Sequence, residues 1–257
     1  MKIMKASNKK NNLYIVGIVL AVLTFWLFAN SMINIIPAMI EDMNISLGIL
    51  NIATSLTALF SGLFIVVAGG MSDRSGRKKM TYIGLILSVA GSLLVLLAQG
   101  PIFLIVGRAL QGVSAAFIMP ATISLIKTAF DEKDRQRALS YWSFGSWGGA
   151  GVATLAGGLI ATYMGWRWIF VISIIVALIA MWILRDIEES KANDYKKAPF
   201  DYVGFVLFVM LLLGVNIVVT QGQELGWTSP LMIVLMSVTL LLLAGFLEYE
   251  KRRKHQF

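Results

Sequence analysis

The chain has 257 residues, of which 58% are hydrophobic and 14% charged, and its formal net charge at pH 7 is +8. One soluble core cannot bury so much apolar surface, which excludes a soluble globular protein and predicts an all-α polytopic membrane protein. Cysteine is absent and the single histidine, His255, lies in the basic tail, so disulfides, thiolate metal sites and histidine-based catalysis are excluded. The sequence therefore predicts neither an enzyme nor a bound cofactor or metal.

Eight apolar runs of membrane-span length follow one another along the chain. Their approximate bounds are residues 13–36, 49–68, 82–98, 102–126, 138–162, 168–184, 202–220 and 231–247. The polar stretch 185–201 has no apolar periodicity and is predicted to be a cytoplasmic linker. It divides a six-span bundle at 1–184 from two additional spans and a basic cytoplasmic tail at 202–257.

The basic residues between these runs alternate from one side of the predicted membrane to the other. If the N-terminus is cytoplasmic, the five cytoplasmic segments hold four basic residues each, which is 20 of the 22 Lys and Arg residues. Because cytoplasmic loops collect Lys and Arg, this pattern predicts a multi-pass protein of the cell membrane with both termini in the cytoplasm. Short basic blocks also argue against nucleic acid as a partner, since they form no continuous basic face.

The first span holds polar side chains that are costly in lipid unless they face the interior of a helix bundle. These are Thr24, Asn30, Ser31 and Asn34. We expect them to line a central cleft that receives a substrate. The candidate residues for this cavity are Trp26, Asn30, Asn34, Met119 and Trp147.

The segment 69–80, GGMSDRSGRKKM, lies between the second and third runs. Gly69 and Gly70 are expected to end the incoming helix, and Gly76 permits a positive φ in the turn. Topology alone explains the basic residues of a cytoplasmic loop, but not this spacing of Gly and Asp. The segment resembles the G-x-L-A-D-R-x-G-R-K signature of the major facilitator superfamily. The matching residues, to which the resemblance gives a conformational-switch role, are Gly69, Asp73, Arg74, Gly76, Arg77 and Lys78.

Arg108 lies inside the fourth predicted span, in LIVGRALQGVSAAFIMP. A charge at membrane depth must face the bundle interior and find partners, so Arg108 is a functional candidate. Gln111 and Gly112 share its helix face at i+3 and i+4. The segment is similar to the R-x-x-Q-G signature of the same superfamily, which implies a role for Arg108, Gln111 and Gly112 in proton coupling. A purely structural arginine, capped by backbone carbonyls, remains the alternative.

Small residues recur every four positions in the fifth predicted span, WSFGSWGGAGVATLAGGLIAT. The residues of this motif are Gly145, Gly149, Ala153 and Gly157, followed by Gly158. The spacing is typical of helices that pack backbone to backbone in lipid. The segment resembles the antiporter signature G-x-x-x-G-P-x-x-G-G, but Ala153 and Thr154 stand where that signature has Gly-Pro. We therefore expect close helix packing here without a proline kink.

Three longer stretches resemble the fourteen-span drug/proton antiporters of the superfamily, most closely their quinolone exporters. They are TFWLFA at 24–29, DRQRALSYWSFGSWGG at 134–149 and GWRWIF at 165–170. The resemblance implies the N-terminal six-helix half of a major facilitator fold plus two extra transmembrane helices. It also implies proton-driven export of amphipathic drugs such as quinolones and cationic dyes, with the proton gradient as energy source and no cofactor. The implied partners are the lipid bilayer, small amphipathic drugs and a C-terminal six-span half.

Exporters of this kind have six spans beyond the eight found here, so the chain is expected to be the N-terminal part of a transporter. The alternative is a truncated, non-transporting membrane fragment, or a half-transporter that needs a partner chain. The first six predicted spans contain no Asp or Glu. Proton coupling through a carboxylate is therefore expected at the interfacial Asp73 or outside this chain.

Overall fold

The computed structural model describes residues 8–191 and 201–254. Within these residues the chain forms ten α-helices and one π-helical segment, and no strand. The helices are α1 (Asn8–Asn30), α2 (Met32–Met43), α3 (Leu47–Ser75), α4 (Arg77–Leu96), α5 (Pro101–Ala129), α6 (Glu132–Ser143), α7 (Gly149–Tyr163), α8 (Arg167–Leu184), α9 (Tyr202–Leu225) and α10 (Pro230–Lys254), and the π-helical segment, Phe144–Gly148, joins α6 to α7.

Seven helices in the described part of the chain are long and apolar enough to cross a membrane. They are α1, α3, α4, α5, α8, α9 and α10. Each contains a window of 18 residues with at most two charged side chains, which is close to the length that a bilayer core requires. The protein is thus an all-α, multi-pass membrane protein, as the composition predicts.

The fifth predicted span is helical throughout, but it is not one continuous α-helix. α6, the π-helical segment and α7 follow each other without a gap and contain 12, 5 and 15 residues. At the π-helical segment the N–H of Gly149 bonds to the carbonyl of Phe144, one residue further back than in an α-helix. The apolar run is therefore built from successive helical pieces, each shorter than a full span.

The first predicted span is also reshaped, because the helix breaks at Ser31, near the end of that span, and then continues beyond residue 36. α1 ends at Asn30 and α2 begins at Met32. Pro37 within α2 has no N–H to donate to the carbonyl four residues earlier, and its ring crowds that carbonyl. The N–H of Asn34 bonds to the carbonyl of Ser31 at 3.1 Å, an i to i+3 bond that tightens the turn at the break.

α5 packs along both α3 and α4. Glycines allow the backbones to approach closely. A Cβ atom at Gly112 would lie 2.5 Å from the carbonyl oxygen of Thr57 on α3, and one at Gly91 on α4 would lie 2.8 Å from the carbonyl oxygen of Gly107. Side chains at these positions would force the helices apart. The face of α5 that carries Arg108 is therefore held deep inside the bundle.

The chain divides into two compact units, Met1–Tyr195 and Lys196–Phe257. In the second unit α9 and α10 pack antiparallel, since the Tyr249 hydroxyl near the end of α10 bonds to Asp201 Oδ1 at the start of α9, at 2.8 Å. Asp201 also caps α9 by accepting the N–H of Gly204 at 2.9 Å. The domain limits at 184 and 201 stay predictions, because residues 192–200 lie outside the described residues.

Candidate functional site

The turn between α3 and α4 is centred on Gly76, which has φ +121° as its predicted role requires. The expectation that Gly69 and Gly70 end the incoming helix is wrong, because α3 passes through both and continues to Ser75. A Cβ atom at Gly69 would lie 3.9 Å from Cβ of Pro120 on α5, an ordinary packing distance. Helix packing thus carries α3 past two residues of low helix propensity.

Asp73 pairs with Arg77 across this turn. The distance from Arg77 Nη2 to Asp73 Oδ1 is 3.0 Å, an i to i+4 ion pair that spans the end of α3 and the start of α4. Lys78 points elsewhere, because its Nζ donates to the carbonyl oxygen of Arg185 at the end of α8, at 2.6 Å. The turn therefore joins α3, α4 and α8 at one membrane face.

Sequence reasoning missed Glu189, which lies just after α8. Its two carboxylate oxygens accept the backbone N–H groups of Lys78 and Lys79, each at 2.9 Å. The only signal in the sequence is an acidic residue near the end of the sixth span, more than one hundred positions from the turn. Such a separation gives no local pattern from which the contact could be predicted.

Arg108 lies at the centre of a buried polar network that joins three helices. Its side chain is 1% exposed, and Nη1 donates to the carbonyl oxygen of Phe28 on α1 and to Gln111 Oε1, each at 2.8 Å. Gln111 Nε2 in turn donates to Ser92 Oγ on α4 at 3.1 Å. Arg108 and Gln111 thus form one unit, as their spacing predicts, and connect α1, α4 and α5.

The hydrogen-bond partners of the Arg108 guanidinium within the described residues are neutral oxygens. Its Nε atom is buried and has no hydrogen-bond partner among them. A buried charge without an opposite charge is costly, since neutral dipoles replace only part of the hydration that is lost. Capping by the carbonyl of Phe28 agrees with a structural role, whereas the unpaired Nε leaves a donor for a further group. Both interpretations of Arg108 therefore remain open.

The small residues of the fifth span face α1 and the start of α2. A Cβ atom at Gly149 would lie 2.6 Å from Leu23 Cδ2, and one at Gly157 would lie 2.5 Å from Ser31 Oγ. Ala153 is 1% exposed, and its carbonyl accepts the Ser31 hydroxyl at 3.3 Å. The motif continues in both directions, because a Cβ atom at Gly145 would lie 3.0 Å from Val19 Cγ1 and one at Gly158 would lie 3.5 Å from Asn34 Nδ2.

The asparagines predicted to line a cavity bond across the same interface. Asn30 Nδ2 donates to the carbonyl of Ala150 at 3.4 Å, and Asn34 Nδ2 donates to the carbonyl of Thr154 at 2.9 Å. Each amide thus has a hydrogen-bond partner within the protein and does not depend on a substrate for one. Contact with a substrate stays a prediction for both residues.

The remaining cavity candidates lie in different surroundings. Trp26 and Met119 are partly buried against the same apolar cluster, which contains Leu85 and Ile118. Trp147 belongs to the π-helical segment, and its side chain is 79% exposed. The structure therefore brings Trp26 and Met119 to one cluster and places Trp147 on a surface.

A groove that sequence reasoning missed lies between α1 and α6. Its volume is about 330 Å³, and Arg137 at its edge donates a hydrogen bond to Asn12. The lining residues are Asn12, Ile15, Val16, Val19, Leu20, Arg137 and Tyr141, none of which is among the predicted cavity residues. The groove thus combines an apolar wall with one cationic group.

Comparison with known proteins gives close relatives of this chain. It is 51% identical over 242 residues to "Quinolone resistance protein NorB" of Staphylococcus aureus strains MRSA252 and MSSA476. The matched region is 94% of this chain and 52% of the relative. The chain therefore spans about half the length of the curated relatives it matches.

Solved transporter structures share the fold. The chain superposes on the POT family transporter PepTSo with a TM-score of 0.66 at 14% identity, covering 94% of this chain and 52% of the other. It also superposes on a bacterial homologue of the human lysosomal transporter Spinster, in an inward-facing and occupied conformation, with a TM-score of 0.63 at 21% identity, covering 86% and 53%. The family model described as Major Facilitator Superfamily matches residues 15–249, and the chain belongs to that superfamily.

Proposed function

We propose that this chain forms one half of a proton-driven exporter of amphipathic drugs such as quinolones and cationic dyes. The observation that carries the proposal is the buried Arg108, held by the neutral oxygens of Phe28 and Gln111 inside a helix bundle. The 51% identity to a protein named for quinolone resistance supports the choice of substrate class. Since the chain spans about half the length of that relative, activity and substrates are proposed for the whole transporter.

In this proposal Arg108 responds to the coupling proton. A guanidinium with an unpaired Nε in a buried site gains from any negative charge that approaches it, and loses that gain when the charge is neutralised by a proton. Gln111 orients Nη1, and Gly112 lets α3 approach closely enough to enclose the site. The carboxylate that exchanges the proton is either Asp73 at the membrane face or a group outside this chain. The energy comes from the proton gradient, without a cofactor.

The conformational change is proposed to act through the turn at Gly76. Gly69, Asp73, Arg74, Gly76, Arg77 and Lys78 are the residues of this switch. The Asp73–Arg77 ion pair joins the ends of two spans, so its breaking would release α3 from α4 at that face. Both termini and this turn are proposed to lie in the cytoplasm.

The substrate cleft is proposed to lie between this six-span bundle and a C-terminal six-span half supplied as a partner. Trp26, Asn30, Asn34, Met119 and Trp147 are its candidate residues, and the exposed Trp147 offers an aromatic face for a cationic drug. The chain spans about half the length of its relative, which supports a second half.

The test is efflux of a cationic dye from energised cells, with and without a protonophore. Cells would express this chain alone or together with the six-span C-terminal half of the Staphylococcus aureus relative. We expect protonophore-sensitive efflux from the pair and none from the chain alone.

Two results would contradict the proposal. Protonophore-sensitive efflux from the chain alone would show that no second half is required. Absence of dye and quinolone efflux from a pair whose assembly is verified by copurification would show that the chain is no part of a drug exporter.

A further inference from the structure

The segment that follows α8 folds back against the start of α4. Ile187 anchors it, since its side chain is 1% exposed and packs in an apolar cluster with Tyr14 and Phe130. Two residues further on, the carboxylate of Glu189 reaches the backbone N–H groups of Lys78 and Lys79 at 2.9 Å each. The end of the sixth span is therefore bonded to the turn that follows the second.

Glu189 and Ser190 provide hydrogen-bond acceptors for the first N–H groups of α4. The first N–H groups of an α-helix have no partner within the helix. In α4 the N–H of Arg77 bonds to the carbonyl of Ser190 at 3.0 Å, and those of Lys78 and Lys79 bond to Glu189. Gly76 precedes α4 and has no side chain with which to cap it. The Glu189 carboxylate, more than one hundred residues away, thus caps the N-terminus of α4. It also lies at the positive end of the helix dipole, where a negative charge is favourable.

The glycine at position 76 leaves the room that this carboxylate occupies. A Cβ atom there would lie 2.5 Å from Glu189 Cδ and 2.7 Å from each of its oxygens. The turn therefore depends on Gly76 in two ways: its positive φ shapes the backbone, and its missing side chain leaves space for the Glu189 carboxylate. Any side chain at this position would displace the carboxylate as well as strain the backbone.

The contact is reciprocal, because α4 also caps the end of α8. Lys78 Nζ donates to the carbonyl of Arg185 at 2.6 Å, which satisfies an acceptor just beyond the last turn of α8. Ser190 Oγ lies 2.9 Å from Thr128 Oγ1 at the end of α5. One short segment thus connects the ends of three spans.

We propose that Glu189 is a positioning residue for the turn at Gly76. Its carboxylate closes a latch between the end of α8 and the start of α4, and this latch holds Arg77 where it pairs with Asp73. These contacts hold the turn in place whatever the protein transports.

The test is amide hydrogen exchange at residue resolution across 77–80, in the purified 257-residue chain in lipid nanodiscs. Glu189→Ala should speed exchange at Lys78 and Lys79 by about fivefold, as expected for loss of a cap of about 1 kcal/mol. Glu189→Gln should give a smaller increase, because an amide offers one acceptor oxygen instead of two. The matched control is Glu188→Ala, since the neighbouring Glu188 side chain is exposed, and it should leave both amides at the wild-type rate.

Wild-type exchange at Lys78 and Lys79 in Glu189→Ala would overturn the proposal, and so would an equal acceleration in Glu188→Ala. If Glu189→Ala speeds exchange throughout the bundle, the test uses the exchange rates of Glu189→Gln instead. Faster exchange confined to those two amides would support the latch, and unchanged exchange there would contradict it. Efflux is not measured, so failure of this test is separate from failure of the proposed drug export.

Discussion

Arg77 and Arg108 are the same residue type at two depths, and the protein binds their guanidinium groups differently. Arg77 has a side chain that is 12% exposed and pairs with Asp73, itself 38% exposed, at 3.0 Å. Arg108 is 1% exposed and donates to the oxygens of Phe28 and Gln111, which carry no charge. An ion pair therefore stands at the membrane face, and a network of dipoles stands in the interior.

The difference follows from the cost of desolvation. Near water, an ion pair pays little to form and contributes roughly 0.2–1 kcal/mol. At depth a carboxylate partner would itself have to be buried, and the effective penalty reaches several kcal/mol for each ion. Neutral acceptors avoid the second penalty but leave the guanidinium charge uncompensated. The interior arginine is thus expected to matter for activity and the interfacial one for joining the helix ends.

The largest effect is expected from Arg108→Met, which keeps much of the side-chain volume and removes the charge. If Arg108 is retained for proton coupling, the variant should lose protonophore-sensitive efflux in the paired assay above. Its stability should change little, because relief of the buried charge offsets the loss of the donor to Phe28 and Gln111. Thermal unfolding of the purified chain measures the second quantity.

The control for this variant is Arg185→Met, at a side chain that is 59% exposed and pairs with Asp186. It should affect neither efflux nor stability appreciably. A marked loss of stability in Arg108→Met would favour the purely structural role, in which the guanidinium is needed to satisfy the carbonyl of Phe28.

A second, smaller effect is expected from Gln111→Met. The change removes one acceptor of Arg108 Nη1 and the donor to Ser92 Oγ, so buried polar groups are left unsatisfied. We expect destabilisation by about 1–3 kcal/mol, measured by thermal unfolding. Gln136→Met, at an exposed position of α6, is the control and should be close to neutral. Equal stability of the two variants would show that the interior network contributes nothing.

Asp73→Asn should have a smaller effect on stability. The variant loses the ion pair with Arg77 but keeps a hydrogen-bond acceptor, so a loss of roughly 0.2–1 kcal/mol is expected. The efflux rate should fall markedly although the free energy of unfolding changes little, since the turn is proposed to switch between conformations. Asp186→Asn, at a carboxylate that is 69% exposed, is the matched control. Wild-type efflux from normally expressed Asp73→Asn protein would rule out the switch role.

The smallest perturbation is single cysteine substitution, which the absence of native cysteine allows. Cysteines at Glu41 and Glu224 should react with an impermeant thiol reagent in intact cells, and cysteines at Lys133 and Lys191 should not. The labelling pattern tests whether the turn at Arg77 faces the cytoplasm while Arg108 lies within the membrane. Reaction of Lys191→Cys in intact cells would contradict the proposed orientation.

Features that depend on a short stretch of chain were predictable. Hydropathy over span-length windows located the long apolar helices, and the letters around Gly76 indicated a residue with positive φ. The spacing of Arg108 and Gln111 predicted that they share one helix face, and the structure joins them at 2.8 Å. Each of these properties is set by neighbours within a few turns of helix.

Local reasoning failed where packing overrides propensity. Gly69 and Gly70 have low helix propensity, yet α3 runs through them because it is held along α5. The fifth span has the composition of one helix, but the π-helical segment divides it, and hydropathy does not report such a change of hydrogen-bond register.

The sequence by itself determines the hydropathy, the helix periodicity and the small-residue spacing at Gly149 and Gly157. The class of fold and the existence of a packing face can therefore be predicted from it. The identity of the partner does not. That Gly157 meets Ser31, and that Glu189 caps the helix beginning at Arg77, depends on how distant segments are brought together. A carboxylate more than one hundred residues from its amides leaves no periodic signal, because the contact exists only once the spans have packed.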